Sequence, residues 1–265
     1  SGSFSLVSSD GGPIQVDTTT GNIANAGLAI GEFSGTNSGA IGQSVSAVAF
    51  STGDLVINGV PVGPTVAAFD TASPTSTGPE GSGIAKAEAI NRVSDQSGVT
   101  AIVNSTLVNA GTIGTGTAET GSFDLNGVTI EVSYSATNTV ADKQNTIISA
   151  INNKAGQTGI SAEALGSSYR LIAEDGRNIL INNFAGDPVT AAELGLTSGT
   201  TAYASIALSS AGKIELDSIT GDIDRSGFEI GNYGSADSGQ LVQDIDVSTA
   251  DGAILALAAV DNALT

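Results

Sequence analysis

The sequence predicts a β-rich α+β fold: two related small strand–turn–strand–helix–strand modules inserted in a discontinuous β domain, with a C-terminal helix stub. Three observations predict it. Apolar residues recur in short alternating runs cut by 35 glycines, a pattern of strands and turns rather than long helices. A block of strand, Asn-Gly, strand, helix and strand occurs twice at matching spacing. The final stretch carries an Ala-rich apolar stripe at helical spacing behind a capping signal.

Composition narrows the chemistry first. The chain has 265 residues, 40% apolar and 13% charged, enough to bury a core and too little charge for a disordered tail. It has no Cys and no His, which excludes thiol nucleophiles, Ser-His-Asp triads, zinc fingers, imidazole-ligated metals and disulfides. A net charge of -19 repels phosphate backbones and anionic headgroups, so no nucleic-acid and no membrane partner is expected. The longest apolar run, Ala253 to Val260, is far too short to span a bilayer. The start, Ser1-Gly2-Ser3-Phe4, has neither a basic nor an apolar leader region, and the absent initiating Met is expected of a processed chain.

Taken in order, Phe4 and Leu6 face Ile14 and Val16 across Ser9-Asp10-Gly11-Gly12, a hairpin signal. Tyr169 to Ile181 repeats that layout, with Asp175-Gly176 at the turn. The clearer repeat aligns Gly53 to Val60 with Gly121 to Val128. Each apolar strand runs into Asn-Gly (Asn58-Gly59, Asn126-Gly127), expected at a hairpin tip with both residues at positive φ. Downstream, Ala89-Ile90-Asn91 leads to Gly98-Val99, as Ala150-Ile151-Asn152 leads to Gly159-Ile160.

The second helix is marked by a capping box, Thr139 with Asp142, and by Val140, Ile147, Ile148, Ile151 and Ala155 on one face. The first is expected from about Ile84 to Val93, after an inserted Pro/Gly/Ser-rich loop, Ser73 to Gly83. A third short helix is expected to open at Asp187-Pro188 and close at Gly195. Strands follow at Ala202 to Leu208, Lys213 to Leu216 and Phe228 to Ile230. At the end, Ser248 with Asp251 forms a capping box. The helical face that follows is Ile254, Leu257, Val260 and Leu264, a surface expected to serve assembly.

That tail, Ile245-Asp246-Val247-Ser248-Thr249-Ala250-Asp251-Gly252-Ala253 with Ala259-Val260-Asp261-Asn262-Ala263-Leu264, resembles the start of the C-terminal helix of bacterial flagellins. The Asn-Gly/helix/Ile-Asn repeats are similar to a small inserted motif of flagellins and hook-associated proteins, and Leu196 to Thr201 resembles linking segments of that family. Tail and repeats together cover the end of the chain and roughly 45 to 199. The resemblance implies the outer, surface-exposed region of a filament subunit, without its polymerising termini. The domains expected are 1–50 with 200–243 as a discontinuous β-rich outer domain, 51–199 as two modules (about 51–110 and 111–199), and 244–265 as the start of a core helix.

Four constellations compete with that structural reading. Asp222-Ile223-Asp224-Arg225-Ser226-Gly227 fits half a calcium loop, but its twelfth position is Tyr233 rather than a bidentate Glu, so a plain acidic turn is expected. Ser210-Ala211-Gly212-Lys213 resembles a Ser-x-x-Lys pair but lies between two expected strands and reads as a hairpin turn. Gly111 to Gly116 fails the dinucleotide spacing and reads as a linker. Asn104-Ser105-Thr106 is a formal glycosylation acceptor. No catalytic, cofactor-binding or metal residue and no cofactor is therefore expected. The chain is read as a structural, non-enzymatic subunit of the extracellular bacterial flagellum. Its expected partners are other copies of itself, reached through termini missing here, and the chain alone is expected to be a monomer. The alternatives are an extracellular adhesin or polysaccharide-binding module, a hook-associated or filament-cap protein, and a carboxylate-pair hydrolase.

Overall fold

A computed structural model describes residues 14–16, 31–33, 40–114, 119–135, 137–187, 190–210 and 214–233. It is a β-rich α+β protein of small antiparallel sheets with few helices. The first lobe begins with β3 (Ala40–Ser44), β4 (Val56–Ile57), β5 (Val60–Pro61), α1 (Gly83–Asn91), α2 (Ser94–Ser97) and β6 (Thr100–Val103). The second lobe follows whole: β7 (Thr106–Asn109), β8 (Glu119–Leu125), β9 (Val128–Tyr134), α3 (Val140–Asn152), α4 (Ala155–Thr158), β10 (Ser161–Leu165), β11 (Ser168–Ala173), β12 (Ile179–Asp187) and β13 (Thr200–Ala202). The chain then returns with β14 (Ser205–Ser209), β15 (Ile214–Asp217) and β16 (Gly231–Tyr233). A separate ladder pairs β1 (Ile14–Val16) with β2 (Gly31–Phe33).

The two lobes have one topology. Three strands order as β3-β14-β6 in the first and β7-β11-β10 in the second; four order as β16-β15-β4-β5 and β13-β12-β8-β9. Registers agree as well. Leu208 faces Ala101 and Ala40, and Leu171 faces Ala162 and Val108. Leu216 faces Ile57 and Gly231, and Ile181 faces Leu125 and Thr200. The core residues correspond in turn: Leu55, Ile57, Ile90, Val99 and Leu208 in one core match Phe123, Leu125, Ile151, Ile160 and Leu171 in the other. The second lobe is thus inserted between β6 and β14. At the matching place in the second lobe, β10 and β11 are joined by a tight turn over Gly166 and Ser167.

Local signals explain most elements. Both Asn-Gly pairs sit at hairpin tips with both residues left-handed, φ +50 and +80 at Asn58 and Gly59, +51 and +80 at Asn126 and Gly127. The Thr139–Asp142 capping box is formed, and Ile147 and Ile151 fill the core beside Val140 and Ile148. α1 stands where a helix from about Ile84 to Val93 was expected, the short α2 follows it, and the chain before them is tightened by three 3-10 turns.

Several expectations are corrected. β11 and β12 lie in different sheets, so Tyr169 to Ile181 is a crossover between layers and not a hairpin. The same holds for β14 and β15, so Ser210 to Lys213 does not close a hairpin. No helix occupies 190–195: β12 runs to Asp187, and the described residues after it form turns closed by Gly195 at φ +67. The strand expected from Ala202 to Leu208 is broken at Tyr203 and Ala204, where the chain leaves one lobe for the other. The last strand among the described residues is Gly231–Tyr233, three residues later than expected, because Phe228 turns into the core instead. Of the region 200–243, the described strands β14 to β16 supply sheets of the first lobe. Phe4, Leu6 and the tail with Ile254, Leu257, Val260 and Leu264 lie outside the described residues.

Candidate functional site

Four asparagines bind the backbone with both side-chain amide atoms, in equivalent pairs. Asn91 accepts from the Ala101 N–H at 2.7 Å and donates to its carbonyl at 3.0 Å; Asn152 does the same to Ala162, at 2.7 and 2.9 Å. Asn58 accepts from the Glu215 N–H and donates to the Ser97 carbonyl. Asn126 accepts from the Leu180 N–H and donates to the Asn178 carbonyl. A carboxamide offers one acceptor and two donors, so it can clamp a backbone unit that no neighbouring strand pairs. The Asn at each helix end therefore closes a sheet edge, and the Asn at each hairpin tip extends a ladder.

The first lobe also holds a buried charged cluster. Asp54 is fully buried and accepts from the Ser51 N–H, the Thr220 hydroxyl and the Arg225 guanidinium, the last two at 2.7 Å. Burial pushes its carboxyl up, but those three donors outweigh burial and hold it below the usual carboxylate value. Lys86 on α1 is also fully buried. Its Nζ donates to the Ser46 and Arg225 carbonyls at 2.6 and 2.7 Å and stands 5.3 Å from the Phe50 ring centre. Burial, with help from the nearby Arg225 charge, pulls this ammonium down from 10.5 to about 7, against the opposing pull of Asp224 and Asp54. Chemically the cluster is a tie: it fastens α1, the β3–β4 connection and the 3-10 turn Ile223–Ser226 together.

The second lobe also buries a lysine. Lys143 is buried, donates to the Gly114 carbonyl and lies 4.6 Å from the Tyr134 ring centre. Tyr169 donates its hydroxyl to the Leu194 carbonyl, and burial pushes that hydroxyl's ionisation well above the usual tyrosine value. Between the lobes, the buried Asn178 donates its N–H to the Ser73 hydroxyl and its amide to Thr77, which also accepts from Tyr203. The inserted loop of the first lobe thereby docks on the second.

The constellations read from sequence resolve as follows. In the calcium-like stretch, Arg225 bridges Asp222 and Asp54 at 2.7 Å each, so a guanidinium occupies the place between those carboxylates. Among the described residues no three acidic side chains gather as a metal site. Ser210 donates to the Gly98 carbonyl; Lys213 lies outside the described residues. Gly111 to Gly114 joins β7 to β8 and is pinned by the Gly195 and Glu193 carbonyls. Asn104, the formal glycosylation acceptor, donates its amide to the Ser205 hydroxyl at 2.9 Å where the chain enters and leaves the second lobe. Sequence reasoning missed Asp54, Lys86 and Arg225, because nothing in their spacing brings positions 54, 86 and 225 together. No helix among the described residues is long and apolar enough to cross a membrane.

The fold defines a class, a duplicated and nested α+β module protein whose buried polar groups hold its own backbone. No protein-family model matches the chain, and no curated protein matches it. Among solved structures, the crystal structure of the flagellar cap protein FliD from Helicobacter pylori aligns over 73% of this chain and 79% of that one, at 13% identity and a TM-score of 0.22. A superposition at that score carries no argument about fold or function.

Proposed function

We propose that this chain is the outer, surface-exposed region of a structural subunit of the bacterial flagellar filament, secreted, extracellular and without catalytic activity. The observation that carries the reading is where the buried charge goes. Asp54, Asp70, Lys86 and Lys143, the buried charged side chains among the described residues, all bind the chain's own groups. An enzyme would aim such groups at a cleft; a scaffold uses them as ties. The resemblance of 245–264 to the flagellin C-terminal helix supplies the filament context, and assembly with other copies would run through such terminal helices. Alone, this chain is a monomer in dilute solution, kept apart by its charge of -19.

Antibodies raised against the purified chain, viewed by immuno-electron microscopy on the producing bacterium, test the reading. Label along the length of extracellular filaments is the expected result. Label confined to filament tips or to the hook junction means a cap or hook-associated protein, and label spread over the cell envelope means an adhesin. Either outcome replaces the filament reading.

A further inference from the structure

Asn58-Gly59 and Asn126-Gly127 are the two Asn-Gly pairs of this sequence, one in each lobe. Asn-Gly is chemically a fragile step in a chain, because a Gly nitrogen with no side chain beside it reaches the preceding carboxamide unhindered. The Gly nitrogen gives its proton to hydroxide and attacks the Asn Cγ, and the new N–C bond closes a five-membered imide. The Cγ–Nδ2 bond breaks and ammonia leaves, its third hydrogen supplied by water. A water molecule then opens the ring at either carbonyl, leaving Asp or isoaspartate. No oxidant, reductant or enzyme enters the balance.

Two features of the fold oppose that reaction. Ring closure needs Cβ and the Gly nitrogen on the same side of the Cα–C bond. Asn58 at φ +50 and Asn126 at φ +51 lie in the left-handed region, where ψ is near +47 and the two atoms stand on opposite sides. Each carboxamide is also held at both ends. Asn126 is bound by the Leu180 N–H at 2.8 Å and the Asn178 carbonyl at 2.9 Å, Asn58 by the Glu215 N–H at 2.8 Å and the Ser97 carbonyl at 2.7 Å. Burial is not the guard. Gly59 and Gly127 are exposed, and a Cβ built on either meets nothing within 4 Å, so water and hydroxide reach both tips.

We propose that Asn58 and Asn126 are latent deamidation sites, inert while their clamps are made and converted in a chain that stays unfolded. Conversion runs one way, so it marks time spent unfolded. A carboxylate at position 126 still accepts from the Leu180 N–H but has no proton for the Asn178 carbonyl, and opposes it oxygen to oxygen. Asn178 is the residue whose N–H and amide bind Ser73 and Thr77 of the first lobe, so conversion of Asn126 loosens the junction between the lobes. The inference goes beyond the filament reading and does not lean on it.

The full chain is incubated at mildly alkaline pH, folded in buffer and unfolded in urea, and conversion at each tip is followed by peptide mass spectrometry. Freeing an amide breaks two hydrogen bonds, so both tips are expected to react at least about thirtyfold more slowly in the folded chain. A second comparison separates the clamp from the turn. Gly166→Asn with Ser167→Gly puts an Asn-Gly pair into the tight β10–β11 turn, where a Cβ at position 166 meets nothing within 4 Å and the introduced amide is left unheld. Within one folded chain the introduced pair should convert about thirtyfold faster than Asn126. Equal rates in the folded and unfolded chain overturn the proposal, and so does an introduced pair as slow as Asn126. The comparison on the unaltered chain decides even if the double variant folds poorly. None of these outcomes bears on where antibodies label the cell.

Discussion

Replacing Asn126 separates two effects that its turn combines. The residue holds φ +51, and its amide binds the Leu180 N–H at 2.8 Å and the Asn178 carbonyl at 2.9 Å. Asn126→Gly keeps the backbone conformation and removes both side-chain bonds. With roughly 1 kcal/mol per bond, and more where a buried partner is left unsatisfied, the loss is about 2 kcal/mol. Asn126→Ala removes the same bonds and, unlike Gly, keeps a Cβ in the left-handed region without the side-chain bonding that lets Asn occupy it, so it should cost about 1 kcal/mol more than Asn126→Gly. Urea unfolding followed by circular dichroism reads both values. The same pair at Asn58, with φ +50 and partners Glu215 and Ser97, should reproduce the order in the first lobe. If Ala and Gly cost the same at both sites, positive φ is not what selects Asn there. If Gly costs less than about 0.5 kcal/mol, the amide clamps contribute nothing and the duplication argument loses its energetic content.

Asp54→Ala leaves the Arg225 guanidinium without its buried partner and should destabilise by about 3 kcal/mol in urea unfolding. Because the folded Asp54 titrates below its unfolded value, its contribution is present above the usual carboxylate range and lost as pH falls through the folded value; the variant should lose that acid sensitivity. Lys86 has the opposite sense: its folded value of about 7 lies below the unfolded 10.5, so the unfolded chain holds more protons between them and stability rises with pH across that window. The slope approaches about 1.4 kcal/mol per pH unit, and Lys86→Met should flatten it in denaturation curves taken at pH 7 to 9.5. A ten-residue Gly/Ser segment inserted between Gly166 and Ser167 should leave the thermal midpoint within a few degrees, since the first lobe accommodates a whole lobe at the matching turn.

What was legible in the sequence was what local chemistry decides. Asn58-Gly59 and Asn126-Gly127 announce left-handed pairs because few other residues enter that region cheaply. Thr139 with Asp142 announces a helix start because it satisfies two orphan donors. The failures fall where partners are distant. Asp187-Pro188 carries a helix-opening signal, yet β12 pairs with β8 as far as Asp187, and sheet pairing wins. Apolar runs on either side of a turn look alike whether the two strands pair or cross between layers, so Tyr169 to Ile181 misleads. The tie of Asp54, Lys86 and Arg225 was invisible because three isolated charges carry no periodicity.

The nesting has a physical reason. Inserting a lobe costs little when the chain leaves and returns at one point, and Asn104 bonds Ser205 through both its backbone N–H and its amide at that point. Duplication also multiplies sheet edges, and each unpaired edge invites pairing with another chain. Both lobes close the same edge in the same way, with Asn91 on Ala101 and Asn152 on Ala162. The opposite edge of the first lobe is covered as well, because Gln43 donates to the Gly227 carbonyl and Ser46 to that of Arg225. That second cover is fastened by Lys86, which holds both Ser46 and Arg225 by their carbonyls.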